Sequence, residues 1–194
     1  TADPGIVKNA RKLETVTFEE AKELGCLGAG ILHPRTIDPL WGSKVYVEIK
    51  SVLAPERDGT RIIESMKMDG RVVSSVASKN GMALITVKTG KMVDAPGFAA
   101  RIFKTVAAHG VSIDTIMTSQ TNISFTVGMA DLGIVEGALR RMKESMRMEV
   151  KKNLSMIGVV GEGMRGALRT AARIFSVVAD KGVNIEAISQ TGSE

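Results

Sequence analysis

Several residue types that often carry chemistry are scarce in this sequence of 194 residues. A single cysteine, Cys26, excludes an internal disulfide and fits a reducing compartment, so a cytoplasmic location is expected. The two histidines, His33 and His109, are far apart, and no His, Cys and acidic residues have the spacing of a metal site. The sequence therefore predicts no catalytic residue, no metal site and no cofactor in this chain.

Aromatic residues and long apolar runs are also scarce. No apolar run approaches the roughly 18 to 20 residues that a membrane-spanning helix requires, so no membrane partner is expected. Aromatic residues make up 4% of the chain, and the net charge of +5 comes from scattered basic residues. Nucleic-acid-binding proteins cluster basic residues on one face or interleave them with stacking aromatics, so nucleic acid is not an expected partner either.

The first 50 residues have the pattern of the end of an α/β domain. The chain begins with Thr1 rather than Met, which indicates a piece of a longer protein. Thr17-Phe18-Glu19-Glu20 has the form of a capping box, which predicts a helix that continues to Leu27. The alternation over Val45 to Ile49 predicts a strand.

The next stretch is rich in turn signals. Residues 51–71 include Asp58-Gly59 and Asp69-Gly70 and are predicted to form a connector. A strand is predicted over Val72 to Ala77, followed by a turn at Lys79-Asn80-Gly81.

One sequence pattern then occurs twice, at an offset of 72 positions. Ala99-Ala100-Arg101-Ile102-Phe103 recurs as Ala171-Ala172-Arg173-Ile174-Phe175, and Gly110-Val111 recurs as Gly182-Val183. Two copies at one fixed offset satisfy the test for an internal repeat. We call residues 83–152 the first copy and residues from Leu154 onward the second copy.

The first copy has the element order βαββαβ. Its predicted elements are strands over Ala83 to Lys88, Val111 to Ile116, Ile123 to Val127 and Met148 to Lys152, with helices from Ala99 to Gly110 and from Leu132 to Met146. This order predicts an α+β fold of the ferredoxin-like kind, an antiparallel sheet with both helices on one face. The second copy stops at Glu194, just after its predicted second strand.

Each copy also has a glycine-containing loop that leads into its first helix. The loops are Gly90 to Gly97 and Gly161 to Gly166. Free backbone N–H groups at a helix start suit an anion such as the carboxylate of an amino acid, and Asp114 is placed to pair with an ammonium group. A glycine loop is more often only a tight turn, so the residues leave both interpretations open.

These residues match two linked families. Ala-Ala-Arg-Ile-Phe followed by Gly-Val-x-Ile resembles the ACT domain, a βαββαβ unit that senses small molecules. Thr1-Ala2-Asp3-Pro4 and Gly28-Ala29-Gly30-Ile31-Leu32-His33-Pro34 are similar to the end of an aspartate kinase catalytic domain, and Asp58-Gly59-Thr60 is similar to its exit into paired ACT domains. The resemblance covers essentially the whole chain.

The resemblance implies a domain organisation and an activity. Residues 1–50 would be the tail of the α/β kinase domain and 51–71 a linker. Residues 83–152 would form the first ACT domain, inserted into a second one made of 72–82 and 153–194 that is incomplete at its C-terminus. The parent protein would phosphorylate the side-chain carboxylate of aspartate with ATP and Mg²⁺, under feedback control by lysine, threonine or both.

The resemblance also implies an effector site in the first ACT domain. The matching positions are Met92, Asp94, Ala95, Gly97, Phe98 and Ala99 at the loop and helix start, and Ile113, Asp114, Thr118, Ser119 and Gln120 at the second strand. Gln120 stands where lysine-sensitive members have Glu, which removes a carboxylate that could pair with a lysine ammonium. Plain packing is an equally good explanation of Phe98.

Two positions depart from the kinase pattern. The family has Arg at Gly5 and Lys at Gly30, and these positions, with that of Ile31, contact the nucleotide. Glycine cannot neutralise phosphate charge. The rest of the kinase site would lie upstream, so this chain alone is expected to have no kinase activity.

The resemblance also indicates how two copies of the chain would assemble. The resemblance implies a homodimer in which first ACT domains pair edge to edge, since an exposed edge strand would otherwise be a liability.

Two alternatives stay open: a stand-alone amino-acid sensor with a vestigial kinase tail, and a fragment of a bifunctional aspartate kinase–homoserine dehydrogenase. The loop residues Val93 to Pro96 differ from Arg165 to Leu168, which favours the first copy as the binder and the second as its partner.

Overall fold

The computed structural model of the protein describes residues 1–43, 45–65, 71–89, 96–142, 145–164 and 166–190. The chain forms two compact units. We call Thr1–Lys79 with Ile157–Ile185 and Gln190 the outer unit, and Asn80–Met156 with Glu186–Ser189 the inner unit. The names refer only to the order of the segments along the chain.

The outer unit contains a small mixed sheet. Strand β1 (Thr15–Thr17) leads directly into helix α1 (Phe18–Cys26), and strands β2 (Val47–Ile49) and β3 (Thr60–Ile63) follow. The strand order is β1-β3-β2, with β1 parallel and β2 antiparallel to β3. Buried apolar side chains from these elements and from a short 3₁₀ turn form its core: Val16, Phe18, Ala21, Ile37 and Ile62.

The predicted capping box at the start of α1 is confirmed. The Glu20 amide donates to Thr17 Oγ1 at 3.2 Å, and the Thr17 amide donates to Glu20 Oε2 at 3.2 Å. This reciprocal pair satisfies two N–H groups that a helix start otherwise leaves without partners. The helix ends at Cys26, and Leu27 caps it.

The prediction of a connector over residues 51–71 missed β3. A hairpin turn from Ile49 to Gly59 brings β3 against β2, and β1 completes its pairing on the other side. Gly59 is required there, because a Cβ would collide with the Ile49 carbonyl oxygen. Four residues without strict alternation carry a weak local signal, and only the two neighbouring strands make them a strand.

Two long strands correspond to each other under the repeat. Strands β4 (Ser75–Lys88) and β7 (Arg147–Val160) have the same length and the same offset of 72 positions. The predicted turn at Lys79-Asn80-Gly81 is wrong, because β4 runs through it. Gly81 and Asn153, at equivalent positions, have left-handed φ values of 69° and 57°, so a turn-like residue is accommodated inside each strand.

The inner unit has the predicted ferredoxin-like topology. It contains the later part of β4, helix α2 (Phe98–Ala107), strands β5 (Ile116–Thr118) and β6 (Asn122–Gly128), helix α3 (Leu132–Arg140) and most of β7. The strand order is β5-β6-β4-β7, with β6 antiparallel to both β4 and β5. Its core includes Ala83, Ile85, Val87, Ile102, Val106, Ile123, Phe125, Val127, Val135 and Leu139.

Two predicted boundaries and one predicted strand are wrong. The strand expected from Val111 begins only at Ile116, and the helix expected to reach Met146 ends at Arg140. Met142 and Met146 still pack against the core, so their apolar spacing reflects burial rather than helix. The second strand expected in the second copy is absent among the described residues 181–190.

The second copy contributes to the outer unit. After β7 come a 3₁₀ helix (Glu162–Met164) and helix α4 (Thr170–Asp180). The Ser74 amide and hydroxyl both donate to the Val160 carbonyl oxygen, at 2.9 Å each. This contact joins the stretch before β4 to the second copy, as the interleaved organisation requires. The residue-by-residue division into domains stays a prediction.

In the described part of the chain, no helix combines the length and the apolar composition needed to cross a membrane.

Candidate functional site

The predicted effector residues divide into three groups in the structure. Met92, Asp94 and Ala95 lie outside the described residues. Gly97, Phe98 and Ala99 lie at the start of α2, and the remaining five lie on or beside the edge strand β5.

At the start of α2, Gly97 is the N-cap, with a left-handed φ of 84°. Glycine has no side chain that could cap the helix, and no side-chain cap is seen among the described residues. Phe98 is 3% exposed and belongs to the core, so packing accounts for it. Arg101, one turn later, places its guanidinium 5.7 Å from the centre of the Phe98 ring. A cation and a helix start together favour an anionic group at this end of α2.

Thr118, Ser119 and Gln120 form an exposed polar turn between β5 and β6. The Ser119 amide donates to the Asn122 carbonyl oxygen at 2.9 Å, and Ser119 Oγ accepts from the Asn122 amide at 3.1 Å. The Thr89 amide donates to the Thr121 carbonyl oxygen at 3.1 Å, which ties this turn to the end of β4. The turn therefore lies at the end of the sheet where β4 ends and the chain continues toward α2.

Ile113 and Asp114 lie farther along the same edge. The Asp114 amide donates to the Thr126 carbonyl oxygen at 3.0 Å. Thr126 is separated along β6 from Asn122 by about 13 Å, at roughly 3.3 Å per residue. Ile113 packs on the core, while Asp114 is exposed. One chain therefore brings Thr118, Ser119 and Gln120 together but leaves Asp114 at a distance from them.

The structure adds a polar group that the sequence did not single out. On the face of the sheet away from the core, Lys88 Nζ lies 2.6 Å from Glu149 Oε2, and Arg147 Nε lies 3.5 Å from Glu149 Oε1. The hydrogen bond from Lys88 and the surrounding positive charges lower the pKa of Glu149 below its usual 4.5. The alternation of β4 already placed Lys88 opposite the buried Val87, but its partner on β7 required the strand pairing.

His109 has a structural place at the end of α2. Its Nδ1 lies 2.9 Å from the Thr105 carbonyl oxygen, and its Nε2 lies 3.4 Å from an Arg141 guanidinium nitrogen. Among the described residues, no three His, Cys, Asp or Glu side chains come together as a metal site.

The three positions that the resemblance assigns to the nucleotide are exposed. The Gly5 amide donates to Asp3 Oδ1 at 2.7 Å, Gly30 has a left-handed φ of 67° in open space, and the Ile31 side chain is exposed. None of the three carries a cation, so these residues do not fit a triphosphate, and no nucleotide-binding role follows from them.

Known proteins are similar to this chain along its whole length. The family model of the ACT domain matches residues 85–143 and 157–194. The chain is 34% identical over 203 aligned residues to the bifunctional aspartokinase/homoserine dehydrogenase of Haemophilus influenzae, covering 100% of this chain and 25% of that protein.

Two solved aspartate kinase structures also align with the whole of this chain. The aspartate kinase of Clostridium acetobutylicum has a TM-score of 0.88 at 26% identity, covering 100% of this chain and 46% of the other. E. coli aspartokinase III in complex with lysine and aspartate has a TM-score of 0.76 at 26% identity, covering 100% and 43%. The chain thus spans between a quarter and a half of the length of these relatives. The ACT model matches segments of both copies, and aspartokinases align along the entire sequence, so the chain belongs to the ACT domain family and is similar to the regulatory region of aspartokinases.

Proposed function

We propose that this chain is the regulatory region of an aspartate kinase, in which the inner unit binds an amino-acid effector and controls phosphorylation of aspartate by ATP. The observation that carries the proposal is the alignment of aspartokinases along the whole chain together with the ACT match in both copies. The catalytic partner residues, ATP and Mg²⁺ would belong to the rest of the parent kinase. A cytoplasmic location is part of the same proposal.

The effector is proposed to be lysine or threonine. The start of α2 offers N–H groups and the cation of Arg101 to the effector carboxylate. The exposed turn at Thr118, Ser119 and Gln120 offers hydroxyl and amide groups to its polar end. Because Asp114 lies apart from this turn within one chain, a complete site would draw Asp114 from the edge of a second copy.

A thermal-shift screen of the 194-residue chain against the twenty amino acids tests the proposal. A ligand that binds only the folded protein raises its melting temperature, so lysine or threonine should do so while the other amino acids have little effect. A flat response to both would leave the effector proposal without support. The chain alone should form no aspartyl phosphate from aspartate and ATP, and formation of this product would contradict the assignment of a regulatory region.

Gln120 gives a sharper test of the choice between lysine and threonine. Gln120→Glu restores the carboxylate of lysine-sensitive members and should tighten lysine binding by up to about fivefold, because an exposed ion pair contributes at most about 1 kcal/mol. Threonine binding should not tighten. Gln190→Glu makes the same change at an exposed position in the other unit and is the matched control. If both variants changed lysine binding equally, Gln120 would not be part of the effector site.

One observation favours a second candidate. The relative at 34% identity is a bifunctional aspartokinase/homoserine dehydrogenase. The parent of this chain would then carry a dehydrogenase domain as well. Sequencing the gene downstream of the codon for Glu194 decides between the two, because only the bifunctional protein continues into a dinucleotide-binding domain.

A further inference from the structure

The chain contains five asparagines, and only one of them is followed by glycine. Asn80 precedes Gly81 inside strand β4. The other four precede alanine, leucine or isoleucine: Asn9, Asn122, Asn153 and Asn184. The side chain of an asparagine can react with the backbone nitrogen of the next residue. Because glycine has no Cβ beside that nitrogen, the reaction is least hindered at Asn80.

The folded chain leaves the Asn80–Gly81 pair accessible. Both residues are exposed, and a Cβ added at Gly81 would meet no atom within 4 Å. Gly81 has a left-handed φ of 69°, so β4 departs from regular strand geometry at this residue. Pairing of β4 with β6 starts at Met82, so the peptide bond between Asn80 and Gly81 lies outside that paired run.

A cross-strand hydrogen bond holds the Asn80 side chain. The Ser155 hydroxyl, on the neighbouring strand β7, donates to Asn80 Oδ1 at 2.7 Å. Both residues belong to the inner unit. To react, the side-chain amide has to turn onto its own backbone, and this hydrogen bond opposes the turn. The fold therefore slows the reaction at Asn80 but does not bury the reacting atoms.

We infer that Asn80 is a site of spontaneous deamidation and that the Ser155 hydroxyl restrains the reaction. The Gly81 backbone nitrogen attacks Asn80 Cγ, which closes a succinimide ring in a unimolecular step. The Cγ–Nδ2 bond breaks, and the Nδ2 nitrogen leaves as ammonia with the proton that the Gly81 nitrogen loses. Water then opens the ring at either carbonyl, which leaves aspartate or isoaspartate in place of Asn80.

Either product changes the inner unit. Each one replaces a neutral amide with a carboxylate, and isoaspartate also adds one carbon to the backbone of β4. Because β4 enters its pairing with β6 two residues later, at Met82, the longer backbone disturbs the register of that pairing. The chain thus gains a negative charge and loses sheet stability as it ages. This inference does not depend on the proposed function.

Peptide mapping by mass spectrometry tests the inference on the folded 194-residue chain, incubated for days in mildly alkaline buffer. The acid and its isoaspartate isomer should accumulate at Asn80 before they accumulate at any other asparagine. Asn153 is the internal control, because it also lies in a strand with a left-handed φ, of 57°, but precedes Leu154. An Asn80 that stays intact, or reacts no faster than Asn153, overturns the inference.

Substitutions of Gly81 and Ser155 test the two parts of the inference separately. Gly81→Ala adds a Cβ beside the attacking nitrogen and should slow the reaction severalfold. Ser155→Ala should accelerate it about fivefold, the factor that corresponds to one hydrogen bond of ordinary net strength. An unchanged rate in Gly81→Ala contradicts attack by the Gly81 nitrogen, and an unchanged or lower rate in Ser155→Ala contradicts the restraint.

Matched variants show whether Ser155→Ala acts locally or by loosening the whole sheet. Ser155→Thr keeps the hydroxyl and should react at the wild-type rate. Ser124→Ala removes a different hydroxyl pair of the same sheet, in which the Thr86 and Ser124 oxygens are 2.9 Å apart, and should also leave the rate unchanged. Equal acceleration at Asn80 in Ser124→Ala and Ser155→Ala contradicts a specific restraint by Ser155.

Discussion

Left-handed residues occur at equivalent positions of the two copies. Gly97 and Arg169 both precede a helix, with φ values of 84° and 69°. Gly110 and Gly182 both follow one, with φ values of 72° and 67°. The backbone is therefore repeated even where the side chain changes. A residue with a Cβ adopts this conformation at a cost of about 1 to 2 kcal/mol, whereas glycine adopts it freely.

Two glycines in open surroundings should respond in opposite directions to the same substitution. Gly97→Ala should lower the free energy of unfolding by about 1 kcal/mol, because alanine disfavours positive φ. Gly137→Ala, inside α3, should raise it by up to about 1 kcal/mol, because alanine is the better helix former. Urea unfolding measures both, and a stabilising Gly97→Ala would contradict the left-handed conformation.

Glu149 should make stability depend on pH. Its pKa in the folded chain lies below 4.5, mainly because of the hydrogen bond from Lys88, so the unfolded state binds the proton first as the pH falls. The stabilisation is present above about pH 4.5 and is lost as the pH falls through the lower folded-state value. Melting temperatures between pH 7 and 3 at low salt should therefore fall less steeply in Glu149→Gln than in the wild type. Glu14→Gln, an exposed control, should match the wild type.

Helices α2 and α4 share a sequence but not an environment. Ile102 of α2 is fully buried, and Phe103 contacts Phe125 edge-on with ring centres 5.9 Å apart. No residue of α4 is buried in the described chain. In the first copy, β6 and α3 follow α2 along the chain and pack with it in one core, which buries the apolar face of α2. The same amphipathic pattern is thus a core helix in one copy and an exposed helix in the other.

Equivalent isoleucines of the two helices should differ in their contribution to stability. Ile102→Ala should cost about 3 kcal/mol of unfolding free energy, because it leaves a cavity in a packed core. Ile174→Ala should cost about 1 kcal/mol or less, because its surroundings are only partly closed. Urea unfolding followed by circular dichroism compares the two, and similar losses would show that α4 is covered in solution.

At the scale of the whole molecule, the proposed homodimer depends on the edge strand β5. Ile116, 48% exposed on this edge, becomes part of the interface if two copies pair there. Ile116→Lys should convert a dimer into a monomer in light scattering at micromolar concentration. Ile134→Lys, on α3 at 47% exposure, should not. A wild-type chain that is monomeric under these conditions would contradict the proposed interface.

The elements that were predicted correctly have local causes. The capping box lies within four residues, and the stripes of α2 and α3 follow from apolar residues at helical spacing. The elements that were missed depend on distant partners. Strand β3 exists because β1 and β2 lie on either side of it, and β4 is placed between β6 and β7, with β6 paired to it from Met82 onward. For the candidate site, the resemblance placed Asp114 and Ser119 together at the second strand, whereas the distance between them needed the register of β5 and β6.

The duplication and the family can be recognised from the order of residues alone, because both depend on residue identities at fixed offsets. This order also shows that the two glycine loops differ in composition. The contact made by the loop of the second copy is visible only in the folded chain, because the hydrogen bond between Glu20 and the Glu162 amide joins residues 142 positions apart. A local pattern cannot specify a partner at that separation. The fold specifies it, by packing the end of α1 against the second copy, where Gly158 leaves room for the Leu27 side chain.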